Sequence, residues 1–140
     1  MLKKIGATVL AAAAIAVTFT GTAQAEYNPK CPSGVTQIGS TKILKWRTET
    51  VASVKQFKGC NKNWAYVWVW DTWLAKHKEP FEISAGVSTR ISESSVDYVK
   101  TWNKQELWSS GADTLKECTR AGGGVWNSTF SAGDWTDERC

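Results

Sequence analysis

The chain has 140 residues, of which 42% are hydrophobic and 21% charged, and its formal net charge is +4. Two lysines and no acidic residue lie in the first 25 residues, so residues 26–140 carry a net charge of only +2. This small charge, without a long run of like charges, argues against nucleic acid or an anionic membrane as the partner.

Residues Met1–Ala25 have the features of a secretory signal peptide. Lys3 and Lys4 give a positive start, an apolar stretch runs from Val9 to Phe19, and the last three residues match the small-x-small cleavage pattern. Because no segment is long and apolar enough to span a bilayer, we expect no membrane insertion. The sequence predicts a secreted, extracellular single domain over residues 26–140, and the short alanine-rich leader is typical of bacteria.

All four cysteines lie after the predicted cleavage point, at Cys31, Cys60, Cys118 and Cys140. An even number of cysteines in a small exported domain is typical of disulfides. Three pairings are possible, and we favour Cys31–Cys60 with Cys118–Cys140 because these bridges close loops near the two ends of the domain. The sequence has no C-x-x-C pair, and its one histidine, His77, is far from any cysteine, so we predict no metal site and no cofactor.

In the first half of the domain, residues 26–40 are rich in proline, glycine and serine and predict an irregular arm held by Cys31. Residues 41–57 alternate between apolar and polar side chains, as in a half-buried strand, either continuous or broken in two. Residues 58–63 predict a turn, and the tryptophan-rich strand 64–70 follows. The two strands around this turn predict a β-hairpin.

In the second half, residues 76–80 predict a polar turn, and residues 81–91 alternate more cleanly than any other segment. Residues 96–108 fit either a strand or a helix.

Near the C-terminus, Thr114-x-x-Glu117 resembles a capping box, and the three glycines 122–124 would end a short helix carrying Cys118. Residues 125–130 predict a last strand, and residues 133–140 a tail held by the terminal cysteine. We therefore predict a mainly β fold, a small antiparallel β-sandwich or open barrel with at most one or two short helices, stabilised by disulfides.

The segment from Cys60 to Val67 reads C-x3-W-A-x-V. It resembles the centre of a small secreted bacterial domain family of unknown function, which places this motif at the turn between two β-strands. The resemblance implies secretion and β structure for this chain and implies no activity.

The most prominent feature is the tryptophan strand, in which Trp64, Tyr66, Trp68 and Trp70 share one face at period two. One interpretation is a hydrophobic core, since large aromatic residues exclude water efficiently. The other is an exposed platform for a sugar or another flat ligand, because aromatic rings are rigid and lose little entropy on binding. The platform interpretation gives the candidate ligand-binding residues Trp68, Trp70, Tyr66 and Trp73, and as second candidates Trp126 and Trp135.

Catalytic residues are not predicted. His77 lies between two lysines in a predicted turn, where a solvated loop histidine is the simpler interpretation. A carboxylate pair formed by Asp71 and Glu82 is the remaining route to a glycoside-active enzyme, but Glu82 fits the solvated face of its strand.

The sequence thus favours a secreted, monomeric, non-catalytic recognition protein whose partner is a cell-wall or extracellular glycan, bound through an aromatic surface. The alternative is a protein-binding effector, such as an inhibitor of an extracellular enzyme or a small antibacterial protein. Small size, disulfides and aromatic anchors suit both functions.

Overall fold

The computed structural model describes residues 26–92 and 94–140, so the predicted signal peptide lies outside the described residues. Across the described part of the chain, no helix has the length and apolar character needed to cross a membrane. The elements are, in chain order, β1 (Thr36–Trp46), β2 (Glu49–Gly59), β3 (Lys62–Val69), α1 (Asp71–Lys76), β4 (Glu82–Thr89), β5 (Val99–Trp102), β6 (Glu106–Trp108), β7 (Thr119–Trp126) and β8 (Ser131–Trp135).

The strands form two four-stranded sheets, with the orders β1-β2-β3-β6 and β5-β4-β7-β8. Every neighbouring pair is antiparallel. The sheets pack face to face, so the predicted mainly β fold of the sandwich type is confirmed.

The core between the sheets comes from the period-two alternation of the strands. Alternate residues of β3, β4 and β7 point into it, and they are mostly small or β-branched. The fully or nearly fully buried members on these three strands are Ala65, Val67, Val69, Ile83, Ala85, Val87, Ala121 and Val125.

The predicted hairpin and the predicted disulfides are confirmed. Cys60 and Asn61 form the two-residue turn between β2 and β3, with φ of 51° and 61°, as expected for a hairpin turn that matches the twist of its strands. Disulfides join Cys31 to Cys60 and Cys118 to Cys140.

The helix predicted around Cys118 is wrong. The Thr114 hydroxyl accepts a hydrogen bond from Asn63 Nδ2 at 2.9 Å, so it is not available as a helix cap, and a single turn closes between Thr114 and Glu117. The three glycines 122–124 do not end a helix but lie in the middle of β7.

Candidate functional site

The aromatic face of β3 lies on the outer side of its sheet and is covered along half its length. Trp64 and Tyr66 are each 2% exposed, because the N-terminal arm, residues 26–35, packs across them. This half of the face therefore belongs to a second hydrophobic cluster, separate from the core between the sheets. Its members are Cys31, Val35, Phe57, Trp64, Tyr66 and Trp108, with Trp68 packed against them.

Covalent and polar contacts hold the arm in place. The Cys31–Cys60 disulfide joins it to the β2–β3 turn. The ammonium group of Lys30 donates hydrogen bonds to the backbone carbonyls of Trp108 at 3.3 Å and Ser109 at 3.1 Å. The arm is therefore a fixed part of the fold, and the rings beneath it cannot act as an open platform.

Tyr66 is polar at its tip even though its ring is buried. Its hydroxyl donates a hydrogen bond to Oε2 of Glu106 at 2.7 Å. Burial, followed by this hydrogen bond and the charge of Glu106, raises the pKa of Tyr66 far above its ordinary value of 10.0. The phenol therefore stays protonated, which suits a structural contact.

The other three sequence candidates lie in different surroundings. Trp73, on α1, is 1% exposed and packs against Phe130 with ring centroids 5.0 Å apart, so it belongs to the core. Trp70 is 38% exposed, and its indole N–H donates to Ser53 Oγ at 2.8 Å. Trp68 is partly buried. Of the four predicted residues, only Trp68 and Trp70 offer accessible ring surface.

A second aromatic surface lies on the outer face of the other sheet. Because Ile83, Ala85 and Val87 of β4 point into the core, the alternate residues Ser84 and Gly86 face outward, as do their cross-strand partners Gly124 and Gly122. These outward residues are small over much of the sheet and form the floor of a groove of about 270 Å³. The floor residues are Ser84, Gly86, Gly122, Gly124 and Gly133.

Two tryptophans lie over this glycine floor. A Cβ atom on Gly122 would lie 2.4 Å from Cζ3 of the Trp135 ring, and one on Gly124 would lie 2.9 Å from Cζ3 of Trp126. Each ring therefore needs the glycine beneath it. Trp135 packs on a cross-strand glycine, whereas Trp126 packs on a glycine two residues before it on the same strand. Trp135 remains 36% exposed, so it presents ring surface to solvent.

The rim of the groove adds polar and aromatic groups. Tyr98 is exposed at one side, and Ser95 lies over Gly86. Asp134 lies opposite the inward-facing Gly123, so its side chain belongs to the edge of the sandwich and not to the outer face. Its Oδ1 accepts a hydrogen bond from the Trp135 backbone N–H at 2.8 Å, and its second oxygen pairs with Lys42 of the other sheet at 3.1 Å. The hydrogen bond and then the lysine hold the pKa of Asp134 below its ordinary value, so this carboxylate is ionised.

One end of the groove carries a largely buried carboxylate. Glu82 lies directly opposite Trp102 on β5 and Trp126 on β7. Its side chain is only 9% exposed, and its Oε1 lies 3.5 Å from the Lys100 ammonium nitrogen.

The carboxylates considered for catalysis have different partners. Asp71 accepts a hydrogen bond from Gln105 Nε2 at 2.6 Å, whereas Glu82 pairs with Lys100. His77 is more constrained than the expected solvated histidine, because Nε2 lies 3.0 Å from both carboxylate oxygens of Glu49.

Cys118, Glu138 and Cys140 bring potential metal-ligand atoms together. The two sulfurs are joined in a disulfide, so they do not provide the thiolates that bind a metal.

The groove is built from the second candidates of the sequence, Trp126 and Trp135, together with residues that the sequence did not single out. Tyr98 and the glycine floor belong to this second group. The available signal was the alternation Gly122, Gly124, Trp126, which places two glycines and a tryptophan on one face of a strand.

Comparison of the chain with protein-family models, curated proteins and solved structures finds no match. The resemblance of the Cys60–Val67 segment to a secreted domain family therefore stays a prediction.

Proposed function

We propose that the protein is a secreted, non-catalytic recognition protein that binds an extracellular or cell-wall glycan in the groove over β4, β7 and β8. The observation that carries the proposal is the pair of tryptophans, Trp126 and Trp135, seated on adjacent outward glycines of one strand. The two disulfides support a site of action outside the cytoplasm.

The chemistry of a sugar fits this surface. The C–H faces of a pyranose pack against the flat face of an indole, and the hydroxyl groups at its edge need polar partners. The glycines beneath Trp126 and Trp135 are two residues apart, about 7 Å along the strand, which is on the scale of consecutive sugar rings. Ser84 supplies a hydroxyl beside them. Concave sites of this kind, mostly apolar with a few polar groups, are typical of ligand-binding sites.

The groove is a better candidate than the accessible part of the β3 face. Trp70 is held by its hydrogen bond to Ser53, and Trp68 packs against the arm-covered cluster. Among the glycines that the structure describes, none has Trp68 or Trp70 among its nearest contacts, whereas the groove has both a floor and a rim. We therefore place the glycan on Trp126 and Trp135 and treat Trp70 as the competing site.

The test uses matched tryptophan variants. Oxidised protein is co-sedimented with insoluble polysaccharides and titrated with soluble oligosaccharides while its tryptophan emission is followed. We expect Trp135→Ala to weaken binding about tenfold or more, since loss of one stacked aromatic contact is worth about 1–2 kcal/mol. Trp70→Ala, which also removes one partly exposed indole, should bind like the wild type. Thermal melts of both variants establish that they fold.

Two results would count against the proposal. If Trp70→Ala loses binding and Trp135→Ala does not, the glycan site is the β3 face and the groove is excluded. If the wild-type protein binds no glycan in the panel, glycan recognition is excluded for those polymers, and the protein-binding alternative becomes the better hypothesis.

A further inference from the structure

Glu82 occupies an unusual position for a carboxylate. It lies in the outward row of β4, with Trp102 directly opposite on one side and Trp126 directly opposite on the other. Side chains directly opposite each other in antiparallel strands have Cβ atoms about 4.5–5.5 Å apart. Glu82 therefore lies in one row with two tryptophans, and this row is next to the Ser84–Gly124 row that forms part of the groove floor.

The carboxylate of Glu82 is also weakly partnered for its burial. A carboxylate can accept about four hydrogen bonds, and a buried one normally has several partners. Within residues 26–92 and 94–140, the ion pair recorded for it is with Lys100, at 3.5 Å. That separation is longer than the roughly 2.7–2.9 Å of a charge-assisted N–H···O hydrogen bond. Acceptor capacity therefore remains for a further donor.

The surroundings select a cation as that donor. Indole faces carry negative potential and attract ammonium groups, and the carboxylate adds a full negative charge. Lys100, on the neighbouring row of β5 and largely exposed, approaches from the side. Its position indicates that an alkylammonium group is compatible with this end of the groove.

We infer that Glu82, Trp102 and Trp126 form a subsite for a protonated amino group, so that the groove takes glycans bearing free amines in preference to neutral or acylated ones. The inference rests on the proposed function and adds the substrate class to it. Lys100 acts as an internal competitor for the same carboxylate.

The experiment compares two oligosaccharides of the same length and linkage, one of glucosamine and one of N-acetylglucosamine, at low salt and at a pH where the amines are protonated. The wild-type protein should bind the glucosamine oligomer about tenfold more tightly. Glu82→Gln should abolish this preference, and Lys100→Met should increase it by removing the competing cation. Asp113→Asn, which changes an exposed acid paired with Lys62, is the charge-matched control and should keep the wild-type preference.

The outcomes separate this inference from the proposed function. Equal binding of the two oligomers by the wild type, or tighter binding of the acetylated one, overturns the amine subsite and leaves glycan recognition standing. Failure to bind either oligomer overturns the subsite, and the wider polysaccharide panel then decides the proposed function. A folded Glu82→Gln protein that keeps the preference also overturns the subsite. If Glu82→Gln does not fold, the Lys100→Met result decides: unchanged or weaker glucosamine binding counts against the inference.

Discussion

Gly123 lies on the inner face of its sheet against Val67 of the opposite sheet, and replacing it with alanine gives the sharpest test of the fold. A Cβ atom there would lie 2.2 Å from Cγ2 of Val67, with Val54 Cγ2 at 3.1 Å and the Ser84 carbonyl oxygen at 3.2 Å. Carbon atoms in contact are normally about 3.5–4.0 Å apart, so the valine or a whole strand must move by more than about 1 Å.

The cost follows from two opposing effects. Overfilling a packed core lowers the free energy of unfolding by about 1–3 kcal/mol. Alanine raises it by about 0.5–1 kcal/mol, because alanine restricts the unfolded chain more than glycine does. We expect Gly123→Ala to lower the free energy of unfolding by about 1–2 kcal/mol. For a domain of this size, that corresponds to a fall in Tm of about 4–8 °C. Urea and thermal melts of the oxidised protein measure both quantities.

A double-mutant cycle identifies the cause. Val67→Ala alone should destabilise by about 2–3 kcal/mol through lost burial and a cavity. Combined with Gly123→Ala, the new methyl fills part of that cavity, so the double variant should be more stable than the sum of the single effects by about 1 kcal/mol. The control is Gly133→Ala, where a Cβ would meet Gly123 O at 3.3 Å and Cα of Gly124 at 3.7 Å. A wild-type Tm for Gly123→Ala, or strict additivity in the cycle, would refute this account of the sheet contact.

Three further predictions concern the covered aromatic face and the groove. Replacing both Cys31 and Cys60 by serine should lower the free energy of unfolding by about 3–4 kcal/mol, because the bridge has a sequence separation of 29. It should also expose buried tryptophan, so that the emission becomes red-shifted and sensitive to acrylamide. Unchanged emission would contradict the covering role of the arm. Because the pKa of Tyr66 is raised above 10.0, its contribution to stability is complete below that pH and is lost as the pH rises further. Tyr66→Phe should therefore flatten the decline in Tm at alkaline pH, and an equally steep decline in the variant would argue against this role of Tyr66. Gly122→Ala should displace Trp135 and reduce glycan binding about tenfold while the protein stays folded, as shown by its far-ultraviolet circular dichroism; wild-type affinity would mean that the seated ring is not needed.

Local patterns were sufficient for much of the fold. The alternation in residues 81–91 predicts β4, because apolar residues at every second position are typical of a strand with one face in a core. The polar face of β4 is buried as well, since Glu82, Ser84 and Ser88 are each at most 7% exposed, so the expected solvated position of Glu82 is wrong. The polar turn at residues 58–63 and the cysteine count likewise predicted the β2–β3 hairpin and the disulfides. The strand and the hairpin depend on residues that are close in sequence, and the disulfides depend on the redox conditions of the compartment.

The glycine run 122–124 was misread because its reason is tertiary. In isolation, three glycines indicate a turn or a helix end. In the fold, the middle glycine makes room for Val67 on the opposite sheet, and the outer two lie under Trp135 and Trp126. No local pattern contains that information, since the partners come from other strands.

The tryptophan face of β3 is a second case in which a local sequence pattern could not predict a tertiary contact. Period two correctly placed Trp64, Tyr66 and Trp68 on one side of β3, but it could not say what lies above them. The answer depends on the path of residues 26–35, an irregular segment whose composition predicts no particular contact. The choice between core and platform therefore needed the structure.

The placement of the two cross-links has a mechanical consequence. Cys31–Cys60 joins the arm to a turn of the first sheet, and Cys118–Cys140 joins the start of β7 to the chain beyond β8, within the second. In the described part of the chain, neither bridge joins one sheet to the other. The sheets are held together by side-chain packing, by the Gln56–Thr119 hydrogen bond at 2.6 Å and the Lys42–Asp134 ion pair at 3.1 Å, and by the chain segments that connect them. A pulling force applied across the sandwich would act on the contacts and connecting segments between the sheets, whereas each sheet would retain its own disulfide. The groove lies on one sheet and would keep its shape through such a motion.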